Sequence, residues 1–348
     1  MNSPMSPAQA RAMPQEYKHF RVVPCTPTIG GTIEGLHLSK LNDEIAADLR
    51  TALWRNGVLF APQQHLDHDQ HKALARCFAE ELELHTFGKT LAAEGHPEVL
   101  LIQKKPTASV KNGTDVWHHD VTGRVHPNVA AVLQADEVPF GADTMWSSAT
   151  AAYERLPFAL KLLFLNLDID HDLLYMTLRH DYNINPAFVE KVMKAAENTT
   201  HPAVVNHPVT GKLCLFVGNG YVKRVHDHST DLSDLVMRIA NELPRTPELQ
   251  VRHQWKKGDI ATWDNFGTAH YGVSGDLGNQ FRRLHRVAAW SKNVRPTLDR
   301  AAAMRDLLAA QSLQSFPTHT PEQFSAYIRS ELVKWRAMAR AAGVEGSQ

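Results

Sequence analysis

The feature that most constrains this chain is a close pair of potential metal ligands with a third one far along the sequence. His118 and Asp120 are two residues apart, and His270 follows 150 positions after Asp120. On an extended strand, residues i and i+2 project to the same side, so His118 and Asp120 would point together. A fold that uses all three residues must therefore bring distant segments side by side.

Two imidazoles and one carboxylate on one face are typical of non-heme Fe(II) oxygenases. The neighbouring His119 could be the ligand instead of His118, but on a strand it would not share a face with Asp120. The chain has 20 histidines, so the pair could also arise by chance. His118 would then be a core histidine beside a turn aspartate, and the motif alone leaves both interpretations open.

A group of arginines follows His270. Arg282 and Arg286 are four residues apart, so on a strand both face one side, whereas Arg283 faces the other. A guanidinium fits a carboxylate through two parallel hydrogen bonds and stays charged at any working pH. The pair therefore predicts bound carboxylates or similar anions. The alternative is a solvated basic edge strand, which the apolar flanking residues disfavour because unpaired arginines in a sheet are costly.

Several separated motifs along the chain favour the metal-binding interpretation over the alternatives. Taken in order, they resemble the taurine dioxygenase family of Fe(II)/2-oxoglutarate-dependent oxygenases, which includes alkylsulfatases and phenoxyalkanoate dioxygenases. The resemblance covers about residues 18 to 295. The matching segments are 117–122, 141–148, 151–157, 207–217, 258–265 and 270–286.

The resemblance implies a role for eight residues. Its metal ligands would be His118, Asp120 and His270. Its 2-oxoglutarate ligands would be Thr144, at the carboxylate nearest the metal, and Arg282, at the distal carboxylate. Its substrate-binding residues would be His85, Arg286 and Phe216. No catalytic residue is predicted beyond these ligands of the metal and the co-substrate.

The chain departs from the family pattern in two ways that concern these residues. Gly123 stands where the family often has phenylalanine, which predicts room for a bulkier substrate group. The spacing from His270 to the arginines is one residue longer than usual, so Arg283 remains a rival of Arg282 for the distal carboxylate.

The expected fold class is α+β, mainly β with surrounding helices, and the resemblance implies a double-stranded β-helix, or jelly roll, with a C-terminal helical extension. The expected parts are a flexible arm at 1–15, the dioxygenase domain at 16–296 and the extension at 297–348. Hydrophobic periodicity predicts helices at 42–56, 67–81, 150–166, 185–196 and 229–243. A capping box at Thr320–Gln323 predicts a tail helix. That segment also resembles the tail of tricarboxylate-binding receptors, a generic pattern for which we expect no shared function.

Composition sets the broad class. Hydrophobic residues make up 43% of the chain, charged residues 21%, and the net charge is zero. These values are ordinary for a soluble globular protein and give no reason to expect nucleic acid or a membrane as partner. Three distant cysteines suit a reducing compartment, and no signal-peptide core is present, so we expect a cytoplasmic location. A homo-oligomer remains open.

The leading hypothesis is an Fe(II)- and 2-oxoglutarate-dependent dioxygenase that uses O2. It would hydroxylate a small anionic substrate such as a sulfonate, an alkyl sulfate ester or a phenoxyalkanoate, with succinate and CO2 as products, and the hydroxylated product would often fragment. Two alternatives are a zinc hydrolase with the same three ligands and a non-catalytic jelly roll that binds a ligand. The arginine pair has no role in the hydrolase, and the non-catalytic protein would not consume 2-oxoglutarate.

Overall fold

The computed structural model describes residues 13–86, 88–104, 115–180, 186–218, 220–273, 280–311, 329–330 and 333–334. The chain divides into two compact units, Met1–Arg300 and Ala301–Gln348. The second unit contains most of one helix and short helical pieces at 329–330 and 333–334. All of the elements that carry the predicted site belong to the first unit.

The described strands and helices together make an α+β fold, as the sequence predicts. The strands are β1 (Gln15–Glu16), β2 (Arg21–Pro24), β3 (Gly31–Glu34), β4 (Val58–Ala61), β5 (Glu81–Leu82), β6 (Thr90–Leu91), β7 (His96–Lys104), β8 (Ala130–Glu137), β9 (Thr144–Ser148), β10 (Asp168–His171), β11 (Thr199–Pro202), β12 (Val204–Asn206), β13 (Leu213–Leu215), β14 (Val222–Val225), β15 (Gln250–His253), β16 (Ile260–Asp264), β17 (Thr268–Gly272) and β18 (Arg282–Trp290). The helices are α1 (Asp43–Asn56), α2 (His68–Arg76), α3 (Ala149–Arg155), α4 (Phe158–Leu165), α5 (Leu173–His180), α6 (Pro186–Ala195), α7 (Thr230–Glu242) and α8 (Arg300–Ala309).

A ten-stranded sheet forms the frame of the first unit. Its order is β1-β2-β3-β4-β16-β8-β18-β7-β6, and β5 pairs with β18. The pairing of β3 with β4 is parallel, and the other described pairs are antiparallel. Strand β18 lies between β7 and β8, with Arg286 opposite Leu100 on one side and Leu133 on the other. The arginine-bearing strand is therefore interior to the sheet.

A second, three-stranded sheet has the order β15-β9-β17 and carries two of the predicted site residues. Thr144 begins β9 opposite Gly272, and His270 in β17 lies opposite Trp146. Buried side chains from both sheets form one hydrophobic cluster, which includes Trp146, Trp263 and Leu284. Packing between the sheets therefore holds His270 and the arginine strand in fixed relation.

Helix α1 covers the other face of the large sheet. Asn42 caps it by accepting a hydrogen bond from the backbone N–H of Ile45, as the sequence predicts. Its buried stripe, which includes Leu49 and Leu53, packs in a cluster with Leu59 of β4 and Val132 of β8. The large sheet is thus buried on both faces along its central strands.

Several predicted boundaries differ from the structure. The helix predicted at 67–81 ends at Arg76, and β5 begins five residues later. The helix predicted at 150–166 is two helices, α3 and α4, because Pro157 has no N–H to donate and disfavours helical geometry in the preceding residue. Gln15, assigned to the flexible arm, lies in β1 and is buried. Most of the tail helix predicted from Thr320 lies outside the described residues, and its described parts at 329–330 and 333–334 are helical.

No helix among the described residues is long and apolar enough to cross a membrane.

Candidate metal and co-substrate site

His118, Asp120 and His270 converge in the first unit. Each is buried and offers one ligand atom, and these atoms all lie within 4.8 Å of one another. The Oδ1 atom of Asp120 is 3.9 Å from Nε2 of His118 and 3.7 Å from Nε2 of His270. No other described group of three or more His, Cys, Asp or Glu residues meets the same spacing. The structure thus brings together the three residues that the sequence singles out.

The way in which the backbone places these residues differs from the prediction. His118 is not in a strand but makes an isolated bridge with His270, with backbone hydrogen bonds of 3.0 and 2.8 Å. Asp120 lies in a turn rather than on an extended segment. The next residue, Val121, has a φ of 48°, a left-handed conformation that is costly for a β-branched side chain. A strained turn, and not strand alternation, aims Asp120 at the two histidines.

Asn265, from the loop between β16 and β17, fixes this turn. Its Oδ1 accepts a hydrogen bond from the backbone N–H of Asp120 at 2.8 Å. Its Nδ2 donates to the backbone oxygens of Asp120 and Asn128, at 3.1 and 2.9 Å. Asn265 lies in one of the segments that resemble the family, 258–265, but the sequence predicted no role for this residue. A buried amide that satisfies three backbone groups explains why that position needs asparagine.

Two glycines allow the chain to approach His118 from the other side. A Cβ atom at Gly220 would lie 2.7 Å from Cβ of His118, and one at Gly218 would lie 3.1 Å from its Cα. A side chain at Gly220 would force His118 to shift, and one at Gly218 would require the His118 backbone to give by a few tenths of an ångström. The close packing therefore depends most on the absence of a side chain at Gly220.

The protonation states in this group suit a metal. The His118 Nδ1–H donates to the backbone oxygen of Val116 at 2.7 Å, so Nε2 is the ring nitrogen that remains for a metal. Burial and the proximity of His118 hold the pKa of His270 well below its usual range. Burial alone would raise the pKa of Asp120, but attraction to Arg286, His270 and His118 outweighs it and holds the pKa at about 2. Asp120 is ionised and His270 is neutral near pH 7.

His119 faces away from these three residues, as its sequence position predicts. Its Nδ1 donates to the backbone oxygen of Asn265 at 2.9 Å, and its ring packs on Phe216 with centroids 4.8 Å apart. Burial lowers its pKa to about 4. Phe216 is fully buried and also stacks on Phe266. The predicted contact of Phe216 with substrate stays a prediction, and its described contacts are with the core.

Arg286 reaches the site from β18 but is not unpaired. Its Nη1 lies 2.7 Å from Oδ1 of Asp120, and its Nη2 lies 2.8 Å from Oε2 of Glu83. Two protein carboxylates thus compensate this buried guanidinium, whereas its Nε is buried without a hydrogen-bond partner among the described residues. The role of Arg286 in substrate binding stays a prediction.

Glu83 and Arg124, which the sequence analysis missed, extend this network. Glu83 is buried next to β5, and its Oε2 also accepts a hydrogen bond from Asn128 at 2.9 Å. Its Oε1 lies 3.1 Å from Nη1 of Arg124. The four side chains form a row of alternating charge, namely Asp120, Arg286, Glu83 and Arg124. The position of Arg124, four residues after Asp120 of the His-x-Asp motif, could have indicated a role at the site. No spacing rule, however, links Arg124 to Glu83.

Arg282 is buried on the same side of β18 as Arg286, and Arg283 points the other way. Within the described residues, Nε of Arg282 is buried without a hydrogen-bond partner. Burial lowers the pKa of Arg282 to about 10, partly offset by Asp143, so it remains charged near pH 7. Arg283 is more than a third exposed and pairs with Asp136 and Glu137. The alternation that the sequence predicted for these arginines is confirmed.

Thr144 is buried at the start of β9. Its Oγ1 accepts a hydrogen bond from Nε1 of Trp255 at 2.9 Å. Because that contact occupies a lone pair, the hydroxyl hydrogen of Thr144 is left to donate to another group.

Gly123 does not leave the open space that the sequence predicted. A Cβ atom at this position would lie 3.2 Å from the backbone nitrogen of Leu173, where α5 begins. The room that a phenylalanine would occupy is therefore taken up by Leu173.

His85 lies beside the charged row, where its Nδ1 accepts a hydrogen bond from the backbone N–H of Gly88 at 2.9 Å. Burial lowers the pKa of His85 to about 4, so the ring is neutral near pH 7.

A polar cavity of about 250 Å³ lies elsewhere, and its lining includes Trp54, Ser148, His207 and Asp264 but none of His118, Asp120 and His270. Nε2 of His207 donates to Oδ2 of Asp264 at 2.9 Å, while Nδ1 accepts from the backbone. These contacts hold the turn after β16, so His207 and Asp264 support the loop that carries Asn265.

Comparison with known proteins gives a consistent match. The model of the family described as taurine catabolism dioxygenase TauD, TfdA family matches residues 21–288. The chain is 33% identical over 270 residues to an alkylsulfatase of Acinetobacter baylyi, covering 75% of this chain and 82% of that protein. It is 31% identical over 280 residues to an alpha-ketoglutarate-dependent sulfate ester dioxygenase of Pseudomonas putida, covering 76% of this chain and 88% of that protein.

A solved structure supports the same relationship. The crystal structure of a taurine dioxygenase from Burkholderia xenovorans superposes with a TM-score of 0.64 at 29% identity. The match covers 82% of this chain and 98% of that one.

Proposed function

The chain belongs to the taurine catabolism dioxygenase TauD, TfdA family, and from that premise we propose that it hydroxylates a small organic anion of the sulfate ester, sulfonate or phenoxyalkanoate type. It is a 2-oxoglutarate-dependent dioxygenase, whose cofactors are Fe(II), 2-oxoglutarate and O2. The structural observation that supports the dioxygenase activity is the convergence of His118, Asp120 and His270.

In this proposal the three converging residues hold Fe(II). The donor set fits the metal, because it combines two imidazoles, one of them fixed through its Nδ1–H, with an ionised carboxylate. Oδ2 of Asp120 is also buried without a hydrogen-bond partner among the described residues, as expected of an atom that a cation would satisfy. When bound, the iron together with 2-oxoglutarate and O2 supplies the oxidising power that converts a substrate C–H bond to C–OH, with succinate and CO2 as products.

Thr144 and Arg282 bind 2-oxoglutarate in this proposal. The Thr144 hydroxyl has its lone pair engaged by Trp255, so it is oriented to donate to a carboxylate. Arg282 is a buried guanidinium with an unpartnered Nε among the described residues, and a carboxylate would satisfy it. The exposure of Arg283 and its pairing with Asp136 support Arg282 as the ligand of the distal carboxylate.

The substrate class rests on the relatives and on the chemistry of the row of charges. Two relatives are an alkylsulfatase and a sulfate ester dioxygenase. Hydroxylation of the carbon that bears a sulfate ester would give a product that breaks into an aldehyde and sulfate. His85, whose ring is neutral near pH 7, is the histidine that the family resemblance assigns to the substrate.

We also propose that residues 16–296 form a double-stranded β-helix and that 297–348 is an extension without a catalytic role. Support comes from the antiparallel sheets that pack on a shared core and from the taurine dioxygenase structure. Deleting residues 297–348 should leave 2-oxoglutarate decarboxylation intact. Loss of that reaction in a folded truncated enzyme would overturn the assignment.

The test of the function is succinate release from 2-oxoglutarate, with Fe(II) and O2, in the presence of hexyl sulfate, taurine or phenoxypropionate. We expect at least one of these anions to stimulate release, and its neutral analogue not to do so. If no anion stimulates succinate release while 2-oxoglutarate is still slowly consumed, the proposed substrate class is wrong. The assignment as a 2-oxoglutarate-dependent dioxygenase would still stand.

A further inference from the structure

We infer that Glu83 is a positioning residue for the substrate, because it holds Arg286 so that the Nε–H of that arginine is left for the substrate's anionic group. The inference rests on the proposed function and on the substrate-binding role predicted for Arg286, and it adds the residue that fixes the arginine in place. It comes from a closed ring of contacts among five buried residues, namely Asp120, Arg286, Glu83, Asn128 and Asn265.

The ring runs from the metal-facing carboxylate to Glu83 and back. Nη1 of Arg286 lies 2.7 Å from Oδ1 of Asp120, and its Nη2 donates to Oε2 of Glu83 at 2.8 Å. The same oxygen of Glu83 accepts a hydrogen bond from Nδ2 of Asn128 at 2.9 Å. Asn265 closes the ring, since its Nδ2 donates to the backbone oxygen of Asn128 and its Oδ1 accepts from the backbone N–H of Asp120. Two separate routes, one through the arginine and one through the asparagines, therefore join Asp120 to Glu83.

Strand β18 fixes the position of Glu83 relative to Arg286. The backbone N–H of Glu83 donates to the oxygen of Ala288, two residues after Arg286, at 2.9 Å. The N–H of Val129, the residue after Asn128, also donates to a backbone oxygen of β18 at 2.9 Å. Because β18 is itself paired on both sides, with β7 and β8, the carboxylate of Glu83 is presented to Arg286 by a rigid frame.

These contacts leave one donor of Arg286 for a ligand. Nη1 and Nη2 each face a different carboxylate, whereas Nε is buried without a hydrogen-bond partner among the described residues. Burial would lower the pKa of Arg286, but Asp120 and Glu83 raise it, so the side chain is charged near pH 7. A buried charged donor without a partner is costly, and an anionic oxygen is the partner that satisfies it best.

The charge of Glu83 decides where this donor lies. Asp120 and Glu83 each attract a different terminal nitrogen of Arg286, so the two carboxylates together set the orientation of the guanidinium. Without the charge of Glu83, Asp120 would be the stronger partner, and the guanidinium would shift toward it. A shift of this kind moves Nε relative to the metal ligands, and a small misplacement of a group that orients the substrate lowers the yield of the reaction.

A different action of Glu83 would have the opposite sign. A buried carboxylate near the binding site of an anion repels that anion, so if Glu83 acted through repulsion alone, its neutralisation would strengthen substrate binding. If Glu83 acts by holding Arg286, neutralisation weakens binding even though a repelling charge has been removed. The direction of the change therefore distinguishes the two actions.

The experiment measures the affinity of the anaerobic Fe(II)/2-oxoglutarate enzyme for hexyl sulfate, taurine and phenoxypropionate by calorimetry, and then uses the anion that binds best. We expect Glu83→Ala to weaken its binding about tenfold or more, beyond any effect on 2-oxoglutarate. Glu83→Gln keeps an acceptor oxygen for Arg286 and should weaken binding less, by about threefold. Iron affinity, measured by competition with a chelator, should change less than anion affinity, because Asn265 holds the backbone of Asp120 independently of Glu83.

The matched control is Asp170→Asn. Asp170 also accepts hydrogen bonds from an arginine and from a second side chain, Arg224 at 2.8 Å and Thr200 at 2.9 Å, but it lies outside the ring. Its affinity for the anion should equal that of the wild type. A loss in this variant as large as that in Glu83→Gln would show a nonspecific effect of removing a carboxylate and would overturn the inference.

The second measurement is the amount of hydroxylated product, or of its fragments, formed per succinate. We expect this ratio to fall in Glu83→Gln, since a poorly held substrate is missed while 2-oxoglutarate is still consumed; a loss of folded protein alone would leave the ratio unchanged. Anion affinity in Glu83→Gln equal to or tighter than that of the wild type would overturn the inference, as would an unchanged ratio, whether or not Glu83→Ala folds. If no anion of the panel binds the wild-type enzyme, the inference and the proposed substrate class both fall, whereas 2-oxoglutarate consumption still reports on the dioxygenase activity.

Discussion

Arg286 donates to Asp120 at 2.7 Å through the same carboxylate oxygen that lies 3.7 Å from Nε2 of His270. The Oδ1 atom of Asp120 thus faces both Arg286, which orients the carboxylate, and His270, which is proposed to bind the same metal. The pKa of Asp120, about 2, follows from these neighbours outweighing its burial. The carboxylate is therefore ionised before any metal arrives, so metal binding does not have to displace a proton from it.

Asn265→Ala should destabilise the protein and weaken metal binding together. The change leaves the backbone N–H of Asp120 and the oxygens of Asp120 and Asn128 buried without this partner, which should lower the free energy of unfolding by about 3 kcal/mol. Urea denaturation and iron titration measure the two effects. Asn265→Asp keeps the acceptor oxygen but loses the donor. Its stability and iron affinity should therefore lie between those of the wild type and of the alanine variant. An alanine variant with wild-type iron affinity would show that the turn does not depend on this amide.

Arg282→Ala should raise the dissociation constant of 2-oxoglutarate, because a buried carboxylate would lose its guanidinium partner. Truncating one member of such a pair costs roughly 2–5 kcal/mol, which is at least about thirtyfold in affinity. Arg283→Ala is the matched control on the same strand, since its side chain pairs with Asp136. Calorimetry with 2-oxoglutarate distinguishes them. A larger effect at Arg283 would reverse the assignment of the two arginines.

Much of this arrangement could be predicted from the sequence, and the reason is local periodicity. The two-residue alternation of β18 separates Arg282 and Arg286 from Arg283, and Asn42 caps α1, as expected. What could not be predicted depends on contacts between segments far apart. The pairing of Arg286 with Glu83 joins residues 203 positions apart, and no pattern near either one indicates it.

The sequence predicted that Asp120 lies on a strand, whereas it lies in a turn, and the physical reason for this error is a local one. The left-handed conformation of Val121 is unfavourable for valine, so a local rule predicts extended backbone there. The surrounding contacts impose the turn instead. In the same way, Gly123 indicated open space only because the sequence gives no sign that Leu173 packs against it.

Thr144→Val should weaken 2-oxoglutarate binding while preserving the shape of the side chain. The valine cannot donate to a carboxylate oxygen, and a hydrogen bond to a charged group is worth roughly 1.5–3 kcal/mol, or about tenfold or more in affinity. It also leaves Nε1 of Trp255 without its partner, so protein stability should be measured in parallel. Thr144→Ser, which keeps the hydroxyl, should bind nearly as the parent does. Equal affinity in the valine variant would remove Thr144 from the co-substrate site.

Stability should fall as the pH drops below about 6.5, and His201 should account for part of the change. Burial lowers the pKa of His201 to about 4, although its hydrogen bonds to backbone oxygens oppose this. In the unfolded chain a histidine titrates near 6.5, so between about pH 6.5 and 4 only the unfolded state takes up the proton. Each such histidine costs up to about 1.4 kcal/mol per pH unit as the pH falls.

His201→Gln, which keeps a donor for the oxygens of Thr122 and Arg124, should therefore make the dependence of the unfolding free energy on pH shallower. Urea titrations at several pH values from 7 to 5 would show the difference. An equally steep dependence in the variant would mean that His201 is protonated in the folded state as readily as in the unfolded one.

The most direct test of the iron site is the visible absorption of the protein when Fe(II) and 2-oxoglutarate are added without oxygen. Coordination of 2-oxoglutarate to iron held by His118, Asp120 and His270 should produce a weak charge-transfer band. The band should be present in the wild-type enzyme and absent in a folded Asp120→Ala variant. A wild-type enzyme without the band, or an Asp120→Ala enzyme that retains it undiminished, would contradict the assignment of the metal site.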